Sequence, residues 1–220
     1  MASSRLAVFD CDGTLVDGQA DIIAAMDEAF ARLDLPARPA QAVRRIVGLS
    51  LPAAMARLAP EADAQLVADL VEAYKAAFRR ARQEGRLAEP LFPGIRALVD
   101  ELRAEGWQLA IATGKSDRGL AHCLAAHGLE SHFDSLQTAD RHPSKPHPAM
   151  LEAALAECLA QPHQAVMIGD TAFDIAMAEA AGVRAIGVAW GYHPPAELLA
   201  AGAVGVANSV RELGEMLRAG

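Results

Sequence analysis

Cysteine is scarce in this chain, and the three present, Cys11, Cys123 and Cys158, are widely spaced with no CxxC pair. That pattern argues against a disulfide framework or a thiolate zinc site and fits a reducing, cytoplasmic setting. Aromatic residues make up only 5% of the 220 positions, so a core must be built mainly from Ala, Leu and Val. No apolar run approaches the ~20 residues needed to span a membrane. The opening Met1-Ala-Ser-Ser-Arg5 leads straight toward a strand and does not read as a signal peptide. Positive charge is also short: the net charge is −8, which argues against sequence-independent binding to nucleic acid. What is present is enough apolar residue, 52%, for one sizeable domain or a core domain with a modest insert.

The order of patterns favours the second arrangement. A short apolar run, Leu6 to Phe9, reads as a buried strand. From residue 19 to about 87 the pattern is helical, with helices expected over 21–33, 39–47, 51–58 and 62–85. After Pro90 it becomes strand–helix alternation. Strands are expected at 108–112, 135–138, 165–168, 184–188 and 204–206, and helices at 95–105, 118–127, 149–159, 174–181 and 210–218. The alternation predicts an α/β fold, a Rossmann-like parallel sheet covered by helices on both faces. The helical block separates the first strand from the rest, so it is an α-helical insertion into the α/β domain. The expected division is 1–16 and 88–220 for the α/β core domain and 17–87 for the helical insertion.

Four strand ends carry chemistry. The first strand runs into Asp10-Cys11-Asp12-Gly13-Thr14. Two carboxylates at the end of an interior strand are costly unless a cation neutralises them. Leu109 to Ala112 ends in Thr113-Gly114, where a hydroxyl and free backbone N–H groups can bind a phosphate oxygen. Lys145 lies in His142-Pro-Ser-Lys145-Pro-His-Pro148, where proline denies the loop helix or strand and aims the ammonium. Ala165 to Gly169 then runs into Asp170, with Asp174 in the first turn of the next helix, where it also suits a cap. Carboxylates for a hard divalent cation such as Mg²⁺, donors for phosphate and one ammonium suit phosphoryl transfer with a carboxylate nucleophile.

In this order, Asp10-Cys-Asp12-Gly-Thr, Thr113-Gly114, Lys145-Pro146 and Gly169-Asp170-Thr-Ala-Phe-Asp174 resemble the haloacid dehalogenase superfamily over essentially the whole chain. The likeness is to its Mg²⁺-dependent phosphatase branch with a helical cap, close to phosphoglycolate phosphatase-like proteins. The resemblance implies hydrolysis of a small phosphate monoester, phosphoglycolate-like or a sugar phosphate, through an aspartyl-phosphate. Asp10 would be the nucleophile and Asp12 the general acid/base. Asp10, the backbone carbonyl of Asp12, and Asp170 would bind Mg²⁺. Asp174 would support the metal or hold Lys145, while Thr113, Gly114 and Lys145 would bind the phosphoryl group. In the cap, Arg44 or Arg45 is expected to contact the substrate, although a solvated helix face also accounts for the pair.

Relatives with other chemistries narrow the expectation. Dehalogenases of this fold lack the second acid, so Asp12 speaks against C–halogen hydrolysis. Phosphonate cleavage needs a cap lysine, and the only lysine between Gly18 and Leu87 is Lys75. A sugar-phosphate mutase keeps the same four motifs, and a non-catalytic phosphate-binding module is the reading from another class. His142 and His147 flank Lys145 as loop residues or metal ligands. Trp190-Gly-Tyr192-His193 suits either contact with substrate or partner, or packing at the sheet edge. The expected partner is a small-molecule phosphate ester, with no nucleic acid and no membrane, for a monomer or homodimer.

Overall fold

The computed structural model describes residues 5–219; residues 1–4 of the lead-in, and residue 220, lie outside them. β1 (Leu6–Phe9) is followed by four helices, α1 (Gln19–Arg32), α2 (Ala40–Arg44), α3 (Leu51–Leu58) and α4 (Ala64–Gln83). The chain then alternates through α5 (Ile95–Ala104), β2 (Gln108–Thr113), α6 (Asp117–Ala126), β3 (Ser135–Thr138), α7 (Ala149–Glu157) and β4 (Ala165–Gly169). It finishes with α8 (Ala172–Ala180), β5 (Arg184–Val188), α9 (Pro195–Ala200), β6 (Gly205–Ala207) and α10 (Val210–Ala219). All six strands pair in parallel in the order β3-β2-β1-β4-β5-β6.

The central strands β1 and β4 are continuously apolar because both faces of the sheet are covered. Ala7, Phe9, Leu109 and Ile111 pack with Leu98, Leu120 and Leu213 from α5, α6 and α10. Leu6, Val8, Ala110 and Met167 point the other way, onto Met150, Ile175 and Leu198 from α7, α8 and α9. Each such fully buried Leu, Ile or Phe contributes ~1.5–3 kcal/mol through loss of apolar surface to water. Helices α1 to α4 have a separate core of their own, built on Met26, Phe30, Val43, Met55 and Leu70.

The register decides where the chemistry falls. Phe9 is level with Ile111 on one side and Ile168 on the other. The chain segments after β1, β2 and β4 therefore emerge side by side, at the point where the strand order reverses direction, the usual place for a ligand crevice in an open parallel sheet.

Three elements differ from the sequence expectation. The helix expected over 39–47 ends at Arg44, because Gly48 takes φ +94° and turns the chain down onto the core. The short helix α9, begun by Pro194-Pro195, has too few residues to show a period. A 3₁₀ turn at Pro162–Gln164 also precedes β4.

Candidate active site

Asp10 continues the β1 ladder by donating its N–H to the Ile168 carbonyl at 2.9 Å, so its side chain starts from a fixed point at the sheet edge. Lys145 Nζ reaches into the same buried space, 2.8 Å from Asp10 Oδ1 and 2.6 Å from Asp174 Oδ1. Asp174 Oδ2 accepts the backbone N–H and the hydroxyl of Thr171, at 3.0 and 2.7 Å, so this residue holds Lys145 and caps α8 at once. Asp170 Oδ1 accepts the Thr14 hydroxyl at 2.9 Å, and Oδ2 accepts the Tyr192 N–H at 2.8 Å. All four charged groups are buried.

One oxygen from each of Asp10, Asp170 and Asp174 lies within 4.8 Å of the others. Three carboxylates face a single ammonium. Burial pushes the Asp10 carboxyl up to about 7, against the pull of Lys145, and burial together with Asp10 raises Asp170 well above the carboxylate range. Burial disfavours the Lys145 ammonium, yet Asp10 and Asp174 outweigh it and the net shift is upward. Asp10 Oδ2 is buried with no hydrogen-bond partner. Three buried carboxylates that face one ammonium, hard oxygen donors in a site short of positive charge, fit a divalent cation of the Mg²⁺ kind.

The Asp12 carboxylate turns away from these three. Lys115 Nζ stands 3.0 Å from Asp12 Oδ1 and 2.6 Å from Glu89 Oε1. Asp10, Asp12, Thr113, Gly114 and Lys115 line one cavity of about 670 Å³, roofed by the Ile46 to Pro52 segment and by Tyr74, Phe78, Arg79 and Arg82 of α4. Thr113 is buried and its Oγ1 accepts the Lys115 N–H at 3.2 Å. Gly114 lies so close under the roof that a Cβ there would stand 2.5 Å from the Leu49 carbonyl oxygen and 2.8 Å from that of Gly48. The Ser50 N–H donates to Ser144 Oγ at 2.8 Å, a second link between roof and floor.

Thus the structure brings Asp10, Lys145, Asp170 and Asp174 together and places Asp12, Thr113 and Gly114 beside them. It does not bring Arg44 or Arg45 to the cavity. Arg44 is exposed, and Arg45 pairs with Glu197 of α9 at 2.7 Å. Trp190 and Tyr192 serve the site from behind: the indole N–H donates to the Thr14 carbonyl at 3.2 Å, and Tyr192 donates to Asp170. Sequence reasoning missed Glu89, which no motif marks, and gave Lys115 no role although it directly follows Thr113-Gly114.

A family model described as haloacid dehalogenase-like hydrolase matches residues 7–188. The chain belongs to that family. Among haloacid dehalogenase-like relatives, a protein of Dickeya dadantii named "Probable phosphatase IndB" is 38% identical over 199 residues, covering 89% of this chain and 86% of that protein. A plasmid-borne phosphoglycolate phosphatase of Cupriavidus necator is 34% identical over 213 residues, 96% and 91% of the two chains. Among solved structures, a hydrolase from Pseudomonas syringae superposes with a TM-score of 0.87 at 25% identity, covering 98% of this chain and 99% of that one.

Proposed function

We propose that this protein is a Mg²⁺-dependent phosphatase that hydrolyses small-molecule phosphate monoesters through an aspartyl-phosphate on Asp10. The observation that carries the reading is Asp10 Oδ2, buried and unpartnered beside the cavity, while Oδ1 is held by Lys145. One oxygen is anchored, and the other is left to attack.

In this reading Oδ2 forms a bond to phosphorus as the bond to the ester oxygen breaks, and Asp12 delivers a proton to the departing alcohol. Asp12 then takes a proton from a water that attacks the phosphorus, the bond to Asp10 breaks, and inorganic phosphate leaves with Asp10 restored. The Thr113 hydroxyl, the Gly114 backbone N–H and the Lys145 ammonium bind the phosphoryl oxygens. Mg²⁺ would be held by Asp10, Asp170 and the backbone carbonyl of Asp12, with Asp174 in support, and would neutralise charge on the transferring group. Fixed charges in a water-poor site act strongly because little reorganisation is needed as the reaction proceeds.

Residues 1–16 and 88–220 then form the catalytic core and 17–87 the cap. Contact of Arg44 or Arg45 with the substrate would require the cap to shift, because Arg45 is tied to Glu197. Arg79 and Arg82 need no shift, and we assign them to the part of the substrate beyond the phosphate. The relatives named phosphoglycolate phosphatase make a phosphorylated carboxylate the first ester to try, followed by sugar phosphates. Release of inorganic phosphate from p-nitrophenyl phosphate, present with Mg²⁺ and absent with EDTA, is the expected result. Conversion of a sugar phosphate to its isomer without phosphate release would instead identify a mutase.

A further inference from the structure

Lys115 and Glu89 form a charge cluster with Asp12 that the phosphoryl chemistry does not by itself require, since Lys145 already serves Asp10. The side chains are nearly out of water, 10% exposed for Lys115, 10% for Glu89 and 13% for Asp12. Lys115 Nζ donates a hydrogen bond to Glu89 Oε1 at 2.6 Å and stands in ion-pair contact, 3.0 Å away, with Asp12 Oδ1, which accepts no hydrogen bond. Desolvating three charges is costly unless each finds a well-placed opposite, so the arrangement has little freedom to drift.

The backbone around the cluster is fixed as well. The Glu89 carbonyl lies 2.7 Å from His127 Nε2 on the C-terminal side of α6. The Asp17 N–H donates to the Pro90 carbonyl at 2.8 Å, tying together the two strands of chain that lead into and out of the helical insertion. A Cβ at Gly18 would stand 3.0 Å from Asp12 Oδ1 and 3.5 Å from Glu89 Oε1, so the segment leading into the insertion presses on the same cluster.

We propose that Lys115, itself held by Glu89, is the positioning residue of Asp12. It fixes Oδ1, so that the carboxyl group is presented to the ester oxygen by Oδ2 in one orientation. This inference rests on the reading of Asp12 as the proton-transfer group. It predicts a dependence on the leaving group, because a nitrophenolate departs from phosphorus without a proton and an alkoxide does not. Since kcat/KM reports the first phosphoryl transfer, the two kinds of ester separate the effect cleanly.

The experiment measures kcat/KM for a series of phosphate monoesters, from p-nitrophenyl phosphate to simple alkyl phosphates, in the native protein and in Asp12→Asn, Lys115→Met, Glu89→Gln and Lys115→Arg. Lys115→Met is expected to lose ~10²-fold on alkyl esters, at the lower end of what a general acid supplies, and to leave p-nitrophenyl phosphate nearly unchanged. Glu89→Gln, which keeps the bulk and both neighbours, should give a smaller loss of the same pattern, and Lys115→Arg should recover part of it. If Lys115→Met does not fold, the Glu89→Gln pattern decides. A uniform fall across the series, or none, overturns the positioning role. If Asp12→Asn itself shows no dependence on the leaving group, the proton-transfer reading of Asp12 fails first, and the proposal fails with it by a visibly different route.

Discussion

The C-terminal edge of the sheet and the helical insertion above it hold their charges in opposite ways. At the edge, Asp10 and Asp174 are buried and bonded to Lys145, and the buried Asp170 accepts from Thr14 and Tyr192. On the insertion, Arg44, Lys75 and Arg79 are exposed, and Lys75, Arg79 and Arg82 follow one another at spacings of four and three along one face of α4. A charge taken out of water is immobile, because any departure from its partners costs several kcal/mol. An exposed pair is worth only ~0–1 kcal/mol and is easily exchanged. The edge is therefore rigid, as the proposed chemistry needs, and the charges of the insertion are free to move.

The largest effects should come from breaking the rigid side. Asp10→Asn is expected to lower turnover of any ester by more than ~10³-fold, since an amide cannot replace the carboxylate nucleophile. The variant should nevertheless fold, because it removes one of three crowded carboxylates. Its melting temperature without Mg²⁺ should equal or exceed that of the native protein near neutral pH. Asp12→Asn should be milder in the general case, ~10²–10⁴-fold in kcat. Steady-state kinetics beside thermal unfolding would check both, and near-normal turnover by Asp10→Asn would remove the aspartyl-phosphate route.

The same contrast explains which parts were legible in the sequence. Strand β1 and the acids at its end could be read because burial forces an apolar run, and only a neutralised site tolerates acids where that run stops. Asp170 and Lys145 were legible for similar local reasons: a second apolar run ending in acid, and a lysine confined by prolines. The Lys145–Asp174 pairing could be anticipated only through family resemblance, since it joins residues 29 apart through the fold. Glu89 was invisible because its role depends on where the return strand from the insertion passes. Arg44 and Arg45 drew attention as adjacent charges before a glycine, yet the direction of α2 sends Arg45 to Glu197. Side-chain direction on an exposed helix is set by docking, which periodicity does not report.

Removing the metal sharpens the edge side of the comparison. Asp10 sits at about 7 in the folded protein against an ordinary value of 3.8. Between those values the folded form keeps a proton that the unfolded form has lost, so stability without metal falls as pH rises through that window. Cation binding displaces that proton and reverses the penalty. The rise in melting temperature on adding Mg²⁺ should therefore be small at about pH 5 and larger at about pH 8. EDTA should abolish it. Scanning fluorimetry across pH would show this, and a shift by Mg²⁺ that does not grow with pH would speak against Asp10 as a ligand.

Gly114 tests how firmly the two regions meet. A Cβ at this position would collide with two carbonyl oxygens of the roof at 2.5 and 2.8 Å, and neither is the end of a flexible side chain. Gly114→Ala should cost ~1–3 kcal/mol in denaturant unfolding, the usual range for overpacking. It should also raise KM, because the roof segment at Ile46 to Pro52 is lifted from the phosphate site. Unchanged stability and KM would mean that the insertion does not rest on the core in solution as it does in this structure.

Replacements on the insertion separate its cavity-facing arginines from its outward ones, and the smallest effect of all is expected at Arg45. Arg79 and Arg82 line the cavity, whereas Arg45 is paired with Glu197, with side chains 45% and 41% exposed. If Arg79 or Arg82 binds an anionic group of the ester, its replacement by alanine removes a charge-assisted hydrogen bond worth ~1.5–3 kcal/mol. That is roughly a ten- to hundredfold loss in kcat/KM for a phosphorylated carboxylate. A small aryl phosphate needs only the core site and should lose little. Arg45→Ala should leave both substrates unaffected and cost at most ~1 kcal/mol of stability, the worth of an exposed ion pair. Measuring the two esters with each of the three variants sets the regions against each other directly. A substrate-specific loss with Arg45→Ala, and none with Arg79→Ala or Arg82→Ala, would show that the insertion turns before it selects and would move substrate recognition to the C-terminal end of α2.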